Sequence, residues 1–308
     1  MTQTYKLNMS ETRHPISAAD REAEIAVLAA MGAHFTNMTG TMRDAYDAMT
    51  ETTPIAEGVT LEEVDEPQLK GWWVRPEQAP SDRAILFIHG GAYVLGSARA
   101  YRGLASQLAI RTGVASFVLD YPLAPEHPFP AAFDAAVAAR RWLGERGFGQ
   151  IALTGDSAGG ALVFGAMATE DIRSEVASVV VFSPWIDLAL TGASFNDPAT
   201  YDPIFLPPQI LTKAAETYLA GAAPKDGRAS PLYDIPKALP PLAIQVGTDE
   251  LLLDDARRYA AAAAAQGGKV QLDIYEGLHH VFQRSVMELQ GARHALDDAA
   301  VFMKCHWR

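Results

Sequence analysis

A serine hydroxyl attacks a carbonyl only when the backbone lifts it clear and a base takes its proton. Residues 155–160, Gly155-Asp156-Ser157-Ala158-Gly159-Gly160, supply the first requirement. They follow the apolar run Ile151-Ala152-Leu153-Thr154 and open a helix-favouring stretch over 161–169. A G-x-S-x-G motif between a strand and a helix predicts a tight, strained turn with Ser157 at its apex. Gly155 and Gly159 let strand and helix pass closely without a Cβ clash. Attack on an acyl carbonyl leaves a tetrahedral oxyanion, and each fixed N–H donor that meets it is typically worth about two to three powers of ten in rate. His89-Gly90-Gly91-Ala92-Tyr93 follows the apolar run 84–88, where glycines let N–H groups turn into a cleft. Ala158, the residue after the serine, offers another donor.

The base and the acid that orients it must come from elsewhere. Val246-Gly247-Thr248-Asp249-Glu250 follows the apolar run 242–246, and Glu276-Gly277-Leu278-His279-His280 follows 270–275. Asp249 competes for the acid role with Glu250, Asp254 and Asp255, of which the last two fall in an expected helix and suit capping or solvation. His280 competes with His279 for the base, and two adjacent side chains in a loop rarely face one pocket, so one of them is structural. The His pair lacks i, i+4 spacing and any Cys/His cluster, so no metal site is expected. Neither a G-x-x-x-x-G-K-[ST] nor a G-x-G-x-x-G loop is present, so nucleotide binding has no support.

The elements that must carry these residues are legible as alternating runs. Short apolar strands are predicted over 84–88, 114–119, 151–153, 176–182, 242–246 and 270–275. Helices are predicted near 98–111, 131–146, 158–170, 207–220, 253–266 and 284–303. Such alternation implies a mostly parallel sheet covered on both faces, with ligands at the carboxyl ends of its strands. Every candidate above lies just past a strand end. Residues 59–64 and 70–74 read as an early strand pair. Residues 17–50 read as two helices, with capping-box spacing at Ser17/Asp20 and Thr41/Asp44. The Pro- and aromatic-rich stretch 184–235 is too long for a plain connection and is expected to form a lid over the site.

Bulk properties narrow the rest. The chain has 308 residues, 49% hydrophobic and 20% charged, enough for a sizeable core in one large or two smaller domains. A net charge of −12 disfavours nucleic acid and anionic membrane surfaces as partners. Cys305 is the single cysteine, so no disulfide framework exists. Residues 1–20 carry no apolar core of a secretory signal, and a cytoplasmic location is expected. On that ground the sequons at Asn8 and Asn37 are discounted.

Four segments together carry a resemblance. His89-Gly90-Gly91-Ala92-Tyr93, Tyr121-Pro122-Leu123-Ala124-Pro125-Glu126-His127-Pro128-Phe129-Pro130, 155–160 and 277–282 resemble the bacterial hormone-sensitive-lipase-like esterases (family IV) of the α/β-hydrolase superfamily, from about residue 70 to the C-terminus. The resemblance implies an α/β-hydrolase fold: a mostly parallel central sheet, helices on both faces and a helical cap. It divides the chain into cap helices over 1–50 and a catalytic domain over 51–308, with a cap insertion at about 184–225. It makes Ser157 the nucleophile, Asp249 of the D-x-L segment the acid and His280 the base. The N–H groups of Gly91, Ala92 and Ala158 would form the oxyanion hole, with His89 and Gly90 shaping the loop. The implied activity is hydrolysis of short- to medium-chain carboxylic esters through an acyl-enzyme, with a small ester as partner and no cofactor. A lactone or amide hydrolase with the same triad stays open. A non-catalytic ligand-binding member is disfavoured by the presence of His280. Members of the group often dimerise, but no interface is legible. Two departures stand out: Ala92 replaces the third glycine of HGGG, and Pro122 replaces the arginine of the Tyr-Arg-Leu-Ala-Pro motif.

Overall fold

The computed structural model describes residues 8–168, 175–205 and 207–308. Capping starts the first two helices where the spacing predicts. Helix α1 (Ala18–Thr36) opens with Ser17 Oγ accepting the Asp20 N–H at 3.0 Å. Helix α2 (Met42–Thr50) has a complete reciprocal box, Asp44 N–H to Thr41 Oγ1 at 3.2 Å and Thr41 N–H to Asp44 Oδ2 at 2.9 Å. The box at α1 is only half formed. The carboxylate of Asp20 instead accepts the N–H groups of Gln290 and Gly291, both at 2.8 Å, at the start of α9 (Gln290–His306).

The sheet holds nine strands among the described residues, in the order β1-β9-β8-β7-β6-β4-β5-β3-β2. These are β1 (Met9–His14), β2 (Val59–Glu66), β3 (Leu69–Pro76), β4 (Arg83–Ile88), β5 (Ser116–Leu119), β6 (Gln150–Asp156), β7 (Glu175–Phe182), β8 (Leu242–Asp249) and β9 (Val270–His279). Every neighbouring pair is parallel except β2–β3 and β3–β5. Side-chain alternation sorts the core onto two faces. Ile85 and Phe87 join Leu104 and Leu108 of α3 (Arg102–Thr112) and Leu296 and Met303 of α9. Leu86 and Ile88 join Leu143 of α4 (Ala131–Glu145), Leu162 of α5 (Ala158–Met167) and Tyr259 of α8 (Leu253–Ala265).

Two expectations are corrected. Residues 9–14 belong to the sheet and not to the cap: β1 pairs in parallel with β9, from Met9 opposite Val270 to His14 opposite Tyr275. Its interior residues Ser10, Glu11, Thr12 and Arg13 are exposed, which suits a strand that ends a sheet and hides the apolar pattern that marks strands elsewhere. The helix expected over 284–303 starts at Gln290, because Phe282–Arg284 form a single 3-10 turn. The last two residues of the helix expected over 158–170 lie outside the described residues. Between β7 and β8 the insertion carries α6 (Ala193–Asn196) and α7 (Gln209–Leu219).

Candidate active site

Strand β6 ends at Asp156, and α5 begins at Ala158. Ser157 between them has φ 52° and ψ −122°, a conformation that L residues avoid. Strain of this kind, on the order of 1–3 kcal/mol, persists only when surrounding contacts over-determine it. The contacts are evident. Ser157 N–H donates to Phe182 O and Trp185 N–H donates to Ser157 O, both at 2.9 Å. A Cβ on either Gly155 or Gly159 would run into the carbonyl of Ile88, so the close crossing needs glycine at both places.

The candidate base and a carboxylate that meets it lie just past the ends of β9 and β8. His280 Nδ1 lies 2.8 Å from Glu250 Oε2, and both side chains are buried. The second oxygen, Glu250 Oε1, accepts Gly247 N–H at 2.6 Å and Ser183 Oγ–H at 2.7 Å. A carboxylate only accepts, so Nδ1 carries the hydrogen of this bond and Nε2 keeps the lone pair of the neutral ring. Ser183 Oγ in turn accepts Val281 N–H at 3.1 Å. The Ser157 turn thus hangs from Phe182 and the His280 loop from Ser183, consecutive residues at the end of β7. Among the described residues no hydrogen bond joins Ser157 to His280 directly. Ser183 and Val281 also have positive φ, 46° and 55°, so strained residues follow the ends of β6, β7 and β9, on the same edge of the sheet.

Asp249 is not the residue that meets His280. It is the last residue of β8 and lies opposite His279 in the ladder with β9. Its Oδ1 accepts Thr248 Oγ–H at 3.0 Å, and burial holds its carboxyl above the usual range. Successive side chains on an extended chain point to opposite faces, so one step along both strands separates the pair Asp249/His279 from the pair Glu250/His280. His279 faces α1 instead. Its N–H and Nδ1 both engage Glu24 Oε1 of α1, at 3.1 and 2.7 Å, in the interior. A signal for Glu250 exists in the sequence, since Glu250-Leu251-Leu252 repeats the acid-x-Leu spacing one residue later.

Opposite the serine, the loop after β4 carries Gly91, Ala92 and Tyr93 at φ 113°, 54° and 64°. A Cβ on Gly91 would overlap the Leu95 carbonyl, so glycine is required there. Ala92 takes up the left-handed conformation that the missing glycine would reach freely, at a cost of about 1–2 kcal/mol. Among the described residues no hydrogen bond uses the N–H of Gly91 or Ala92. Ala158 is the first residue of α5, where helical N–H groups have no partner within the helix. Asp156, the partner of Ser157 in the motif, ties this loop to the elbow: it accepts Gly90 N–H and Tyr101 Oη–H, both at 2.9 Å. Burial raises the Asp156 carboxyl above its ordinary range, opposed by Arg284 and these hydrogen bonds. Tyr121 Oη–H donates to His89 O at 2.9 Å, and its ring stacks on the His89 imidazole with centroids 4.2 Å apart. Tyr46 of α2 extends the chain of hydroxyls, 2.8 Å from Tyr101.

The segment between β7 and β8 reaches both the His280 loop and the loop after β4. Tyr218 of α7 stacks on Tyr93 with centroids 3.8 Å apart, and the Phe205 ring lies 4.9 Å from that of His280. Asp202 anchors this segment by accepting the N–H groups of Ile204, Phe205 and Leu251 at 2.8–3.0 Å. None of these partners could be read from spacing. No group of three or more His, Cys, Asp or Glu side chains able to hold a metal ion occurs among the described residues. Nor is any helix among them long and apolar enough to cross a membrane.

Residues 85–284 match the family described by the α/β-hydrolase fold. An acetyl-hydrolase of Streptomyces hygroscopicus is 41% identical over 236 residues, covering 75% of this chain and 78% of its own. An esterase of Acinetobacter venetianus is 36% identical over 230 residues, covering 73% and 76%. The crystal structure of an esterase from the bacterial hormone-sensitive lipase family superposes with a TM-score of 0.86 at 35% identity, covering 92% of this chain and 98% of the other.

Proposed function

The chain belongs to the α/β-hydrolase family, among the bacterial hormone-sensitive-lipase-like carboxylic ester hydrolases, and on that premise we propose that it cleaves short- to medium-chain esters with Ser157 as nucleophile, His280 as base and Glu250 as acid. The observation that carries this reading is the buried His280–Glu250 pair, built from the ends of β8 and β9 and tied to the serine turn through Phe182 and Ser183. Ser157 Oγ attacks the ester carbonyl while His280 Nε2 takes its proton. The oxyanion is met by the N–H groups of Gly91, Ala92 and Ala158. His280 returns the proton to the leaving alcohol, and water then repeats the sequence on the acyl-enzyme. Glu250 holds the imidazole in the required tautomer and stabilises its charged form. Short acyl chains are favoured because Phe205 and Tyr218 press onto the base and the oxyanion loop from the insertion, and the relative from Streptomyces is an acetyl-hydrolase.

Replacing Ser157 by Ala should leave the thermal midpoint near that of the parent while p-nitrophenyl butyrate turnover falls by at least about three powers of ten, in line with loss of a triad nucleophile. A fluorophosphonate probe should label the parent at Ser157 and leave the variant unlabelled. Turnover by Ser157→Ala within tenfold of the parent would sink the assignment. An acyl-chain and lactone series on the parent then ranks the substrates.

A further inference from the structure

The loop that would hold the oxyanion is strained and must be held from outside. Ala92 and Tyr93 both sit in the left-handed region, which costs about 1–2 kcal/mol per non-glycine residue. The turn closes on itself through Val94 N–H and Leu95 N–H, which donate to Gly91 O at 3.0 and 2.8 Å. From the body of the enzyme it is held at Gly90 by Asp156 and at Tyr93 O by Ala124 N–H, 2.9 Å in each case. Tyr121 Oη–H also holds His89 O, and Tyr218 and Trp185 pack on the Tyr93 ring. A further contact comes from α2. Arg43, in the first turn of α2, donates Nε–H to Val94 O and Nη2–H to Ala124 O, both at 2.9 Å. The outer side of the same guanidinium is gripped by Glu126, with Nη1 3.1 Å from Oε1 and Nη2 2.7 Å from Oε2. One planar fork therefore bridges the oxyanion turn and the very loop that holds Tyr93 O. A lysine, with a single ammonium on a flexible stem, cannot span both carbonyls in this way.

We infer that Arg43 is a positioning residue for the oxyanion hole, fixing the donor N–H groups of Gly91 and Ala92 from the cap through Val94 and Ala124. The inference rests on the function proposed above. Donors aimed at the transition state raise kcat more than they lower KM, so misplacing them has a definite signature. Replacing Arg43 by Ala should lower kcat for p-nitrophenyl butyrate roughly 10- to 100-fold with KM changed less than about threefold, a fraction of the value of a whole donor. The Ki of a trifluoromethyl ketone, which mimics the tetrahedral adduct, should rise by the same factor as kcat/KM falls. Arg43→Lys should recover part of the loss, and it carries the test should Arg43→Ala not fold. Glu126→Gln, which leaves both carbonyl contacts in place, should stay within about twofold of the parent, as an exposed ion pair is worth little.

Asp47→Ala is the control for cap docking, because it cuts the neighbouring α2 contact, Ser97 Oγ–H to Asp47 Oδ2 at 2.7 Å, without touching the turn. The inference is overturned if Arg43→Ala keeps the parental kcat, if it raises KM alone, or if Asp47→Ala reproduces its kcat loss. These outcomes are separate from the failure of the proposed function, which shows as turnover that survives Ser157→Ala.

Discussion

At Glu250 a change of one atom tests the proposed acid. Gln in its place keeps its amide oxygen on the Gly247 N–H and Ser183 Oγ–H, so the NH2 group faces His280 Nδ1 and the ring adopts the tautomer that cannot accept the serine proton. The corresponding Asp→Asn change in a serine-protease triad costs about 10⁴ in kcat, and a loss of roughly 10²–10⁴ is expected here for Glu250→Gln. Asp249→Asn should stay within about threefold, since among the described residues no hydrogen bond joins Asp249 to the His280 ring and changes away from such features are usually small. Steady-state kinetics on the two variants decide between the residues, and the reverse ranking would restore Asp249. Legibility differs within the same constellation. Ser157 and the HGG loop announce themselves because a strand-to-helix elbow and a donor loop need particular small residues at fixed offsets. The acid needs only a carboxyl group at a strand end, and two occur in succession. Which one faces the imidazole is a matter of strand pleat, and no local residue type records it.

At the level of elements, α1 sends a charged side chain inward. Its Glu24 enters the interior to hold both the ring and the N–H of His279, immediately before the proposed base. Removing that carboxylate leaves a buried imidazole and amide without an acceptor, a penalty of about 1–3 kcal/mol. Glu24→Ala should therefore lower the urea midpoint with the slope of the transition unchanged, and Glu24→Gln, which retains an acceptor, should lower it less. Equal midpoints for parent and Glu24→Ala would show that the contact contributes nothing. The helix itself was readable from Ser17 and its capping spacing, yet its docking was not, because Glu24 and His279 are 255 residues apart in the chain. Strand β1 was missed for a related reason. Four of its six residues face solvent, and the contacts that seat it, the backbone ladder with β9 and His14 against Asp273 and Tyr275, are made with residues more than 250 positions away.

For the whole molecule, stability should depend on pH through Asp255. This carboxyl is buried in α8 and accepts the N–H groups of Ile186 and Asp187 on one oxygen, at 2.9 and 3.0 Å. Burial pushes its pKa up to about 8, with the charge of Asp187 adding to the effect. In the unfolded chain it titrates near 3.9. Between those values the folded state holds a proton that the unfolded state has released, so stability falls as pH rises from about 4 to about 8 and levels off beyond. Asp255→Asn keeps an acceptor for both N–H groups and removes this dependence. Its thermal midpoint should gain on the parent steadily between pH 5 and pH 8. A difference that stays constant across that range would mean that Asp255 does not titrate there.

The alternating apolar runs, the glycines of the elbow and the loop after β4 were enough to establish from sequence the parallel sheet, its two helical layers and a serine at a strand end. Each of these is set by neighbours a few residues apart, through period, Cβ clearance and turn sterics. Only the tertiary structure decided that Glu250 and not Asp249 meets His280, that Glu24 claims His279, and that Arg43 reaches from α2 to Val94 and Ala124. Those choices turn on which face of a strand a side chain leaves and on which distant element packs against it, and both are settled only when the sheet has closed.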